Sequence, residues 1–337
     1  VLSVLLVAAF ALSACAKPTP APTAAPTEAP VVTEAPVVTE APKVFKACEV
    51  TDVGGIDDKS FNATGWLGLE RAKADLGVEI AYLESQQASD YEVNINSFVE
   101  AGCDLIVSVG FLLADATSAA ADANPDQNFA IVDVDWLGQT NVRGNAAKID
   151  QATFLAGYLA AGMTKTGKVG TYVGIHGTSV VLLGWDPVTQ KGLETGNFES
   201  LDDGRAFAEQ LLDEGVDIIM PVAGPVGLGS LAVLAERKTG LLIGVDWDWA
   251  VVNPDKADYI LGSALKKIDV FVYDSVKQVV DGVFAGGAPY ILTLENKGVG
   301  FAYGSAMDAQ IPADLKAEIE ALIPGIISGE ILTVPVR

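Results

Sequence analysis

Histidine is nearly missing from this chain: His176 is the only one in 337 residues. His-rich metal centres are thereby excluded, and Ser-His-Asp or Cys-His machinery is left without parts. No Gly-Lys-Ser or Gly-Lys-Thr follows an apolar run, which removes the phosphate-binding loop of nucleotide hydrolases. Basic residues are few, 21 Lys and Arg against 44 Asp and Glu, for a net charge of −23. A surface so acidic argues against nucleic acid and against docking on anionic lipid. The apolar run at residues 1–14 falls short of the roughly 20 residues that span a bilayer as a helix.

That short run reads as the apolar region of a signal peptide whose start is clipped, since neither Met nor a basic segment precedes it. It ends in Leu12-Ser13-Ala14-Cys15. These residues resemble the lipobox of bacterial lipoproteins, which implies a lipidated Cys15 as the mature N-terminus; the plain alternative is an ordinary secretory signal. Two or more acyl chains anchor stably where one does not. Residues 15–42 are a Pro- and Thr-rich tether containing APVVTE twice, at 29–34 and 35–40. Such composition favours extended polyproline II, with a reach of at most roughly 80 Å. The remaining 295 or so residues suit two α/β domains better than one.

Residues 102–136 and 215–249 are two copies of one pattern. GCDLIVSVG leads through an Ala-rich stretch to NFAIVDVDW, and GVDIIMPVA leads through a Gly-rich turn to LLIGVDWDW. Asp104 matches Asp217, Asp133 matches Asp246, Asp135 matches Asp248 and Trp136 matches Trp249. Each copy reads as strand, helix, strand. Ligands of open parallel sheets sit beyond the carboxyl ends of the strands, where Asp133 and Asp246 stand. The matched pair points to a cleft between two lobes; the plain alternative for either Asp is a cap on the next turn.

Further strands are expected at 44–53, 78–82, 105–109, 129–134, 169–174, 179–184, 217–222 and 241–246. Helices are expected near 90–101, 113–123, 150–163, 203–214, 227–238, 264–284 and 313–323, besides the one that Asp58 or Ser60 caps and Gly77 ends. The alternation means a parallel sheet in each lobe. Residues 175–178 break it, because four residues can make only a hairpin and not a parallel crossover: either an antiparallel pair sits in the second lobe or a crossover helix is lost. Cys48 and Cys103 fall in strands that a doubly wound sheet sets side by side, so a disulfide is open to them; the preference of Cys for interiors makes two buried free thiols the expected state. Gly224-Pro225-Val226-Gly227-Leu228-Gly229 has the order G-x-x-G-x-G rather than G-x-G-x-x-G, so as a dinucleotide fingerprint it is weak. It fits a tight turn lining a cleft.

The loop Gly54-Gly55-Ile56-Asp57-Asp58-Lys59-Ser60-Phe61-Asn62 resembles the signature of the basic membrane protein family, the bacterial substrate-binding lipoproteins of purine nucleoside receptor type. Asn128-Phe129-Ala130-Ile131-Val132-Asp133, Phe154-Leu155-Ala156-Gly157-Tyr158, Ile243-Gly244-Val245-Asp246, Ser263-Ala264-Leu265-Lys266 and Ser328-Gly329-Glu330-Ile331 look like the same family, from about 44 to 335. The resemblance implies a type I periplasmic-binding-protein fold of class α/β, with two doubly wound parallel-sheet lobes and a hinge cleft. It divides the body into an N-terminal lobe, 43–147 plus 264–289, and a C-terminal lobe, 148–263 plus 290–337. It also implies a crossover helix that the second lobe lacks, roughly 25 residues being absent between Gly174 and His176.

On the same resemblance, Phe61 and Phe198 would stack on the two faces of a purine, Asn62 and Asp133 would meet its edges, and Asp246 and Lys266 would hold the ribose. Asp52, Asp58, Ser60 and Gly224 complete the expected ligand-binding set. The implied protein is a non-enzymatic, monomeric receptor without cofactor or metal. It would be extracytoplasmic, anchored to the membrane by lipid, and would deliver a nucleoside to the permease subunits of an ABC transporter. Two rivals keep the fold or the acids: a sugar-type receptor or chemosensor, and a nucleoside hydrolase with Asp52, Asp57 and Asp58 around Ca²⁺.

Overall fold

The computed structural model describes residues 43–174 and 192–334. The signal, the tether, Cys15, His176, the strand expected at 179–184, the connection at 175–178 with its lost helix, and the final Pro335 lie outside the described residues.

The first half of the body runs β1 (Lys46–Val50), α1 (Phe61–Leu76), β2 (Glu79–Leu83), α2 (Ser89–Glu100), β3 (Leu105–Ser108), α3 (Ala114–Ala123), β4 (Asn128–Ile131), β5 (Val142–Ala147) and α4 (Ile149–Met163). The second half runs β6 (Val169–Val173), α5 (Leu201–Asp213), β7 (Ile218–Val222), α6 (Val226–Arg237), β8 (Leu241–Asp246), α7 (Trp249–Val252), β9 (Ile260–Lys266), α8 (Ile268–Val280), β10 (Tyr290–Leu292), β11 (Val299–Tyr303) and α9 (Ala313–Ser328). The first sheet has the order β10-β5-β4-β3-β1-β2 and the second β11-β9-β8-β7-β6. Every described strand pairing is parallel except β11 with β9. Two doubly wound lobes result.

Side-chain alternation decides what each sheet face buries. In β3, Leu105 and Val107 face one core while Ile106 faces another. In β7, Ile218 and Ile219 divide the same way. One core is shared by both lobes along their inner helices; the other two lie on the outer faces.

By sheet membership the chain passes between lobes after β5, after β9 and after β10. Residues 264–266 go with the second sheet and 290–292 with the first, where the sequence reading divides the lobes at 263/264 and 289/290. The passages are stitched together: Lys148 N–H donates to Leu292 O (2.8 Å) and Lys267 N–H to Gly298 O (2.8 Å).

Three expectations are corrected. Cys48 and Cys103 are not free thiols but a disulfide, with Cα atoms 6.1 Å apart. β1 and β3 are neighbours, and both sulfurs fall on the same buried face, which brings them within bonding reach. Residues 264–266 are strand, not helix; β9 is buried on both faces, so its run of apolar residues lacks the alternation that marks an exposed strand. The last helix continues past 323 to Ser328 with Pro324 inside it.

Candidate functional site

The site begins with the loop between β1 and α1. Asp58 is the cap of α1: its carboxylate accepts from the backbone N–H of Ser60 (2.9 Å), Asn62 (2.8 Å) and Ala63 (3.0 Å). These are the donors that a helix start leaves unmatched. Ser60 is therefore released from capping. Its hydroxyl instead crosses to the second lobe and donates to Asp246 Oδ2 (3.1 Å), while the residue is fully buried. Asn62 is spent internally: its amide nitrogen donates to Asp52 Oδ1 (2.7 Å) and Asp58 Oδ2 (3.3 Å), and its oxygen accepts from Asp52 N–H (3.3 Å). Asn62 thus orients Asp52 rather than presenting its own edge to the cleft.

Asp133 and Asp246 close β4 and β8 in the same unusual way. Both have left-handed backbone, φ 59° and 66°. That conformation is uncommon outside glycine, although Asp tolerates it better than most residues. It turns both carboxylates onto one ammonium. Lys266 Nζ lies 2.6 Å from Asp133 Oδ2 and 3.7 Å from Asp246 Oδ1. The same ammonium sits 4.8 Å from the centre of the Phe61 ring, within cation–π range. Burial depresses the Lys266 ammonium, but the two aspartates outweigh it and hold its pKa above the usual value. Burial pushes Asp246 above the ordinary carboxylate range, against the pull of Lys266.

Burial likewise raises Asp52, against Asn62 and the Gly54 N–H, and carries Asp58 up to about 7 against its three backbone donors. Behind them in β1, Glu49 is fully buried with no hydrogen bond to either carboxyl oxygen among the described residues. Burial, then the nearby Asp58, holds Glu49 well above the carboxylate range.

The second aromatic, Phe198, lies before α5 in the other lobe. It fits against bare Gly174, where a Cβ would come within 2.4 Å of its ring. Its ring meets Phe111 edge-on, with centroids 6.4 Å apart at 82°. Phe61 and Phe198 do not touch each other. They are linked by Gly110-Phe111, because a Cβ on Gly110 would lie 3.3 Å from Phe61 and 3.4 Å from Asp52 Oδ2. Eight expected residues thus form one bonded network: Asp52, Asp58, Ser60, Phe61, Asn62, Asp133, Asp246 and Lys266. Phe198 joins it through Phe111. Gly224 is left-handed (φ 54°) with open space where a Cβ would stand, and is not bonded to the others.

Four contributors escape sequence reasoning. Gly110 and Phe111 follow β3, and a Gly-aromatic pair at a strand end is the one signal they offer. Asn145 accepts the Asp133 N–H (2.7 Å) and so fixes the left-handed turn, and Glu199 of the second lobe raises Asp52 across the cleft. Neither carries a local signal.

The lobes are shut on one another here by Ser60–Asp246, Asp133–Lys266 and Phe111–Phe198. Two surface hollows, of about 270 and 520 Å³, are lined by other residues. Among the described residues no group of three or more His, Cys, Asp or Glu could hold a metal ion. Asp57 is exposed, while Asp52 and Asp58 have turned to amide donors, so no Ca²⁺ cage forms.

Residues 45–182 and 193–331 match the family described as ABC transporter substrate-binding protein, PnrA-like. The chain is 32% identical over 324 residues to the ABC transporter nucleoside-binding protein BmpA of Lactococcus lactis subsp. cremoris, covering 87% of this chain and 89% of that one. It is 31% identical over 297 residues to basic membrane protein A of Borreliella burgdorferi, covering 83% and 85%. A solute-binding protein of an ABC transporter system from Aeropyrum pernix K1 superposes with a TM-score of 0.74 at 26% identity, covering 87% of this chain and 94% of that one. A glucose-galactose binding protein from Geobacillus stearothermophilus shares the fold alone, with a TM-score of 0.55 at 15% identity.

Proposed function

The chain belongs to the family of PnrA-like ABC transporter substrate-binding proteins, and from that premise we propose that it holds a purine nucleoside between its lobes and presents it to an importer. The family is one of extracytoplasmic, non-catalytic binding proteins, so the chemistry asked of the site is recognition. The Lactococcus lactis relative is named as nucleoside-binding. Anchoring through a lipidated Cys15 and delivery to permease subunits belong to the same proposal.

The observation that carries it is the meeting of two left-handed aspartates, one from each lobe, on Lys266 beneath the Phe61 ring. Vicinal hydroxyls of a ribose suit that arrangement: they donate to carboxylates and accept from an ammonium. A flat base beside them would stack on Phe61, worth about 1–3 kcal/mol. Phe198, braced by Phe111, supplies the opposite face. Asp52 keeps Oδ2 free of any described hydrogen bond, beside Gly110, where a base edge would reach it. The Ser60–Asp246 and Asp133–Lys266 contacts must part to admit the ligand, so binding proceeds through hinge opening and reclosure.

Titration calorimetry with inosine, guanosine and adenosine, alongside ribose and galactose, tests the reading. Micromolar or tighter binding of a nucleoside with no heat from the sugars is expected. Sugar binding without nucleoside binding would transfer the protein to the sugar-receptor reading, and release of free base from inosine would make it an enzyme.

A further inference from the structure

A second cavity-forming region lies in the second lobe, away from the cleft. The hollow of about 270 Å³ is walled by α4 (Leu155), β11 (Phe301, Tyr303), α9 (Ile319, Ile323) and the second and third interlobe passages, which contribute Lys267, Leu294 and Lys297. Three observations single it out. Lys267 and Lys297 both border it, and among the described residues neither forms an ion pair, in a chain whose acids outnumber its bases 44 to 21. The Tyr303 hydroxyl, in the same wall, is sealed from solvent and has no hydrogen-bond partner among the described residues; such a group is costly unless something completes it. Gly300 lines the hollow with bare backbone, so no side chain of its own occupies it.

We propose that this hollow is a second ligand site, for a small amphiphilic monocarboxylate. Its alkyl chain would lie on Leu155, Phe301, Ile319 and Ile323, its carboxylate would face Lys267 and Lys297, and a turn of Tyr303 out of its sealed position would bring the hydroxyl to it. At about 30 Å³ per water-sized unit, the volume takes roughly nine heavy atoms, the size of a medium-chain fatty acid. Glu320 also lines the hollow and opposes negative charge there, so the two lysines must outweigh it and a singly charged ligand is favoured over a doubly charged one. Because two of the three passages form the wall, a molecule wedged there braces them in their present, closed relation. Occupancy therefore slows reopening of the cleft; this last step rests on the hinge reading above, whereas the site itself does not.

Hexanoate is the probe, with hexanol and hexylammonium as neutral and cationic controls of equal length. Hexanoate at tens of millimolar is expected to raise the Tm of the protein by about 2 °C, with neither control doing so. Ile323→Trp narrows the hollow from the α9 wall and is expected to abolish the shift; Lys267→Met, which leaves the strand untouched, is expected to weaken hexanoate at least five-fold. In wild-type protein saturated with hexanoate, inosine should dissociate about three-fold more slowly. Equal stabilisation by hexylammonium, no shift with hexanoate, or an undiminished shift in both folded variants would overturn the site. Failure of inosine to bind with the hexanoate shift intact would instead count against the nucleoside reading and leave the site standing.

Discussion

The two sequence copies start from the same geometry in both lobes. Gly102 turns left-handed before β3 (φ 68°) and Gly215 before β7 (φ 86°). Asp104 then binds the start of β1, donating to Lys46 O (2.7 Å) and accepting from Lys46 N–H (2.9 Å). Asp217 likewise donates to Lys168 O (3.2 Å) beside β6, but its carboxylate accepts from the turn before that strand, at Lys165 N–H (2.6 Å) and Thr166 N–H (3.0 Å). Both copies also end their second strand in a left-handed aspartate. Beyond that they separate. Trp136 is 62% exposed, whereas Trp249 is fully buried with its indole N–H on Val245 O (2.9 Å). The cause lies five residues upstream. Trp249 folds back over Gly244, where a Cβ would come within 2.3 Å of the indole; the matching residue of the first copy is Ile131, which fills that space itself. Matching letters therefore share a geometry only where their packing partners match as well.

The comparison breaks most sharply at the tryptophans. Trp249→Ala should cost about 3–5 kcal/mol in urea unfolding, the range for deleting a buried large aromatic, and Trp136→Ala less than about 0.5. Gly244→Ile, which makes the second copy read like the first, should rival Trp249→Ala because it evicts the indole. Equal costs for the two tryptophans would mean that the first has a burial partner.

A difference of covalent kind comes next. The first lobe is stapled by Cys48–Cys103, 55 residues apart, and no disulfide is present among the described residues of the second. Closing a loop of that length is worth about 4 kcal/mol in the chain-entropy account, with 2–4 typical. Reduction should weaken hydrogen-exchange protection in β1–β4 while β7–β9 hold theirs. Uniform loosening would show that the two lobes unfold as one. The third test concerns the matched acids. Asp133→Asn and Asp246→Asn should each weaken nucleoside binding by about 10–100-fold, as expected for losing a hydrogen bond to a charged group. A loss confined to one of them in calorimetry would end the symmetry between the lobes at the site itself.

The same pairs show which parts of the fold are legible in the amino-acid sequence. The strands carrying Asp133 and Asp246 are legible because apolar runs end in acids at equal spacing, and the loop at 54–62 is legible by its motif. β5 is not. It reads Val-Arg-Gly-Asn-Ala-Ala, yet Val142, Arg143, Gly144 and Asn145 are all buried. Arg143 donates to α8, to Asp274 Oδ2 (2.7 Å) and Ser275 Oγ (2.8 Å), and the Asn145 oxygen accepts from Asp133 N–H while its buried Nδ2 has no partner among the described residues; the partners lie 131, 132 and 12 positions away. Polar residues that are paired over such distances look like loop in a local window. β9, β10 and β11 escape for related reasons, being a central strand without alternation and two short strands between passages. The cap of α1 stays open between Asp58 and Ser60 in sequence, because only the other lobe shows that Ser60 is engaged with Asp246.

The smallest expected effect sets the lobes apart by pH. In the first lobe burial raises Glu49, Asp52 and Asp58, the last to about 7. An acid whose folded pKa exceeds its unfolded value binds protons better when folded, so stability is greatest below the unfolded pKa near 4 and declines as pH rises through the folded value. In the second lobe burial pushes Asp217 up, but Thr164 and the Lys165 and Thr166 N–H groups outweigh it and hold it below the usual range. Its contribution is present above about 4 and is lost on acidification. The second lobe's own raised acid, Asp246, lies at the interlobe contact with Ser60 and Lys266. Between pH 5 and 7, then, rising pH should loosen the β1–α1 region of the first lobe, while Asp217, away from that contact, stays ionised and its contribution holds steady. Glu49→Gln keeps the shape and removes one of the three raised acids. The advantage of this variant over wild type in urea should grow across that interval, by on the order of 1 kcal/mol. The excess should be traceable by exchange to β1 and α1. A difference that is flat with pH would mean that Glu49 does not titrate there, and that the fall in stability belongs to Asp52 and Asp58.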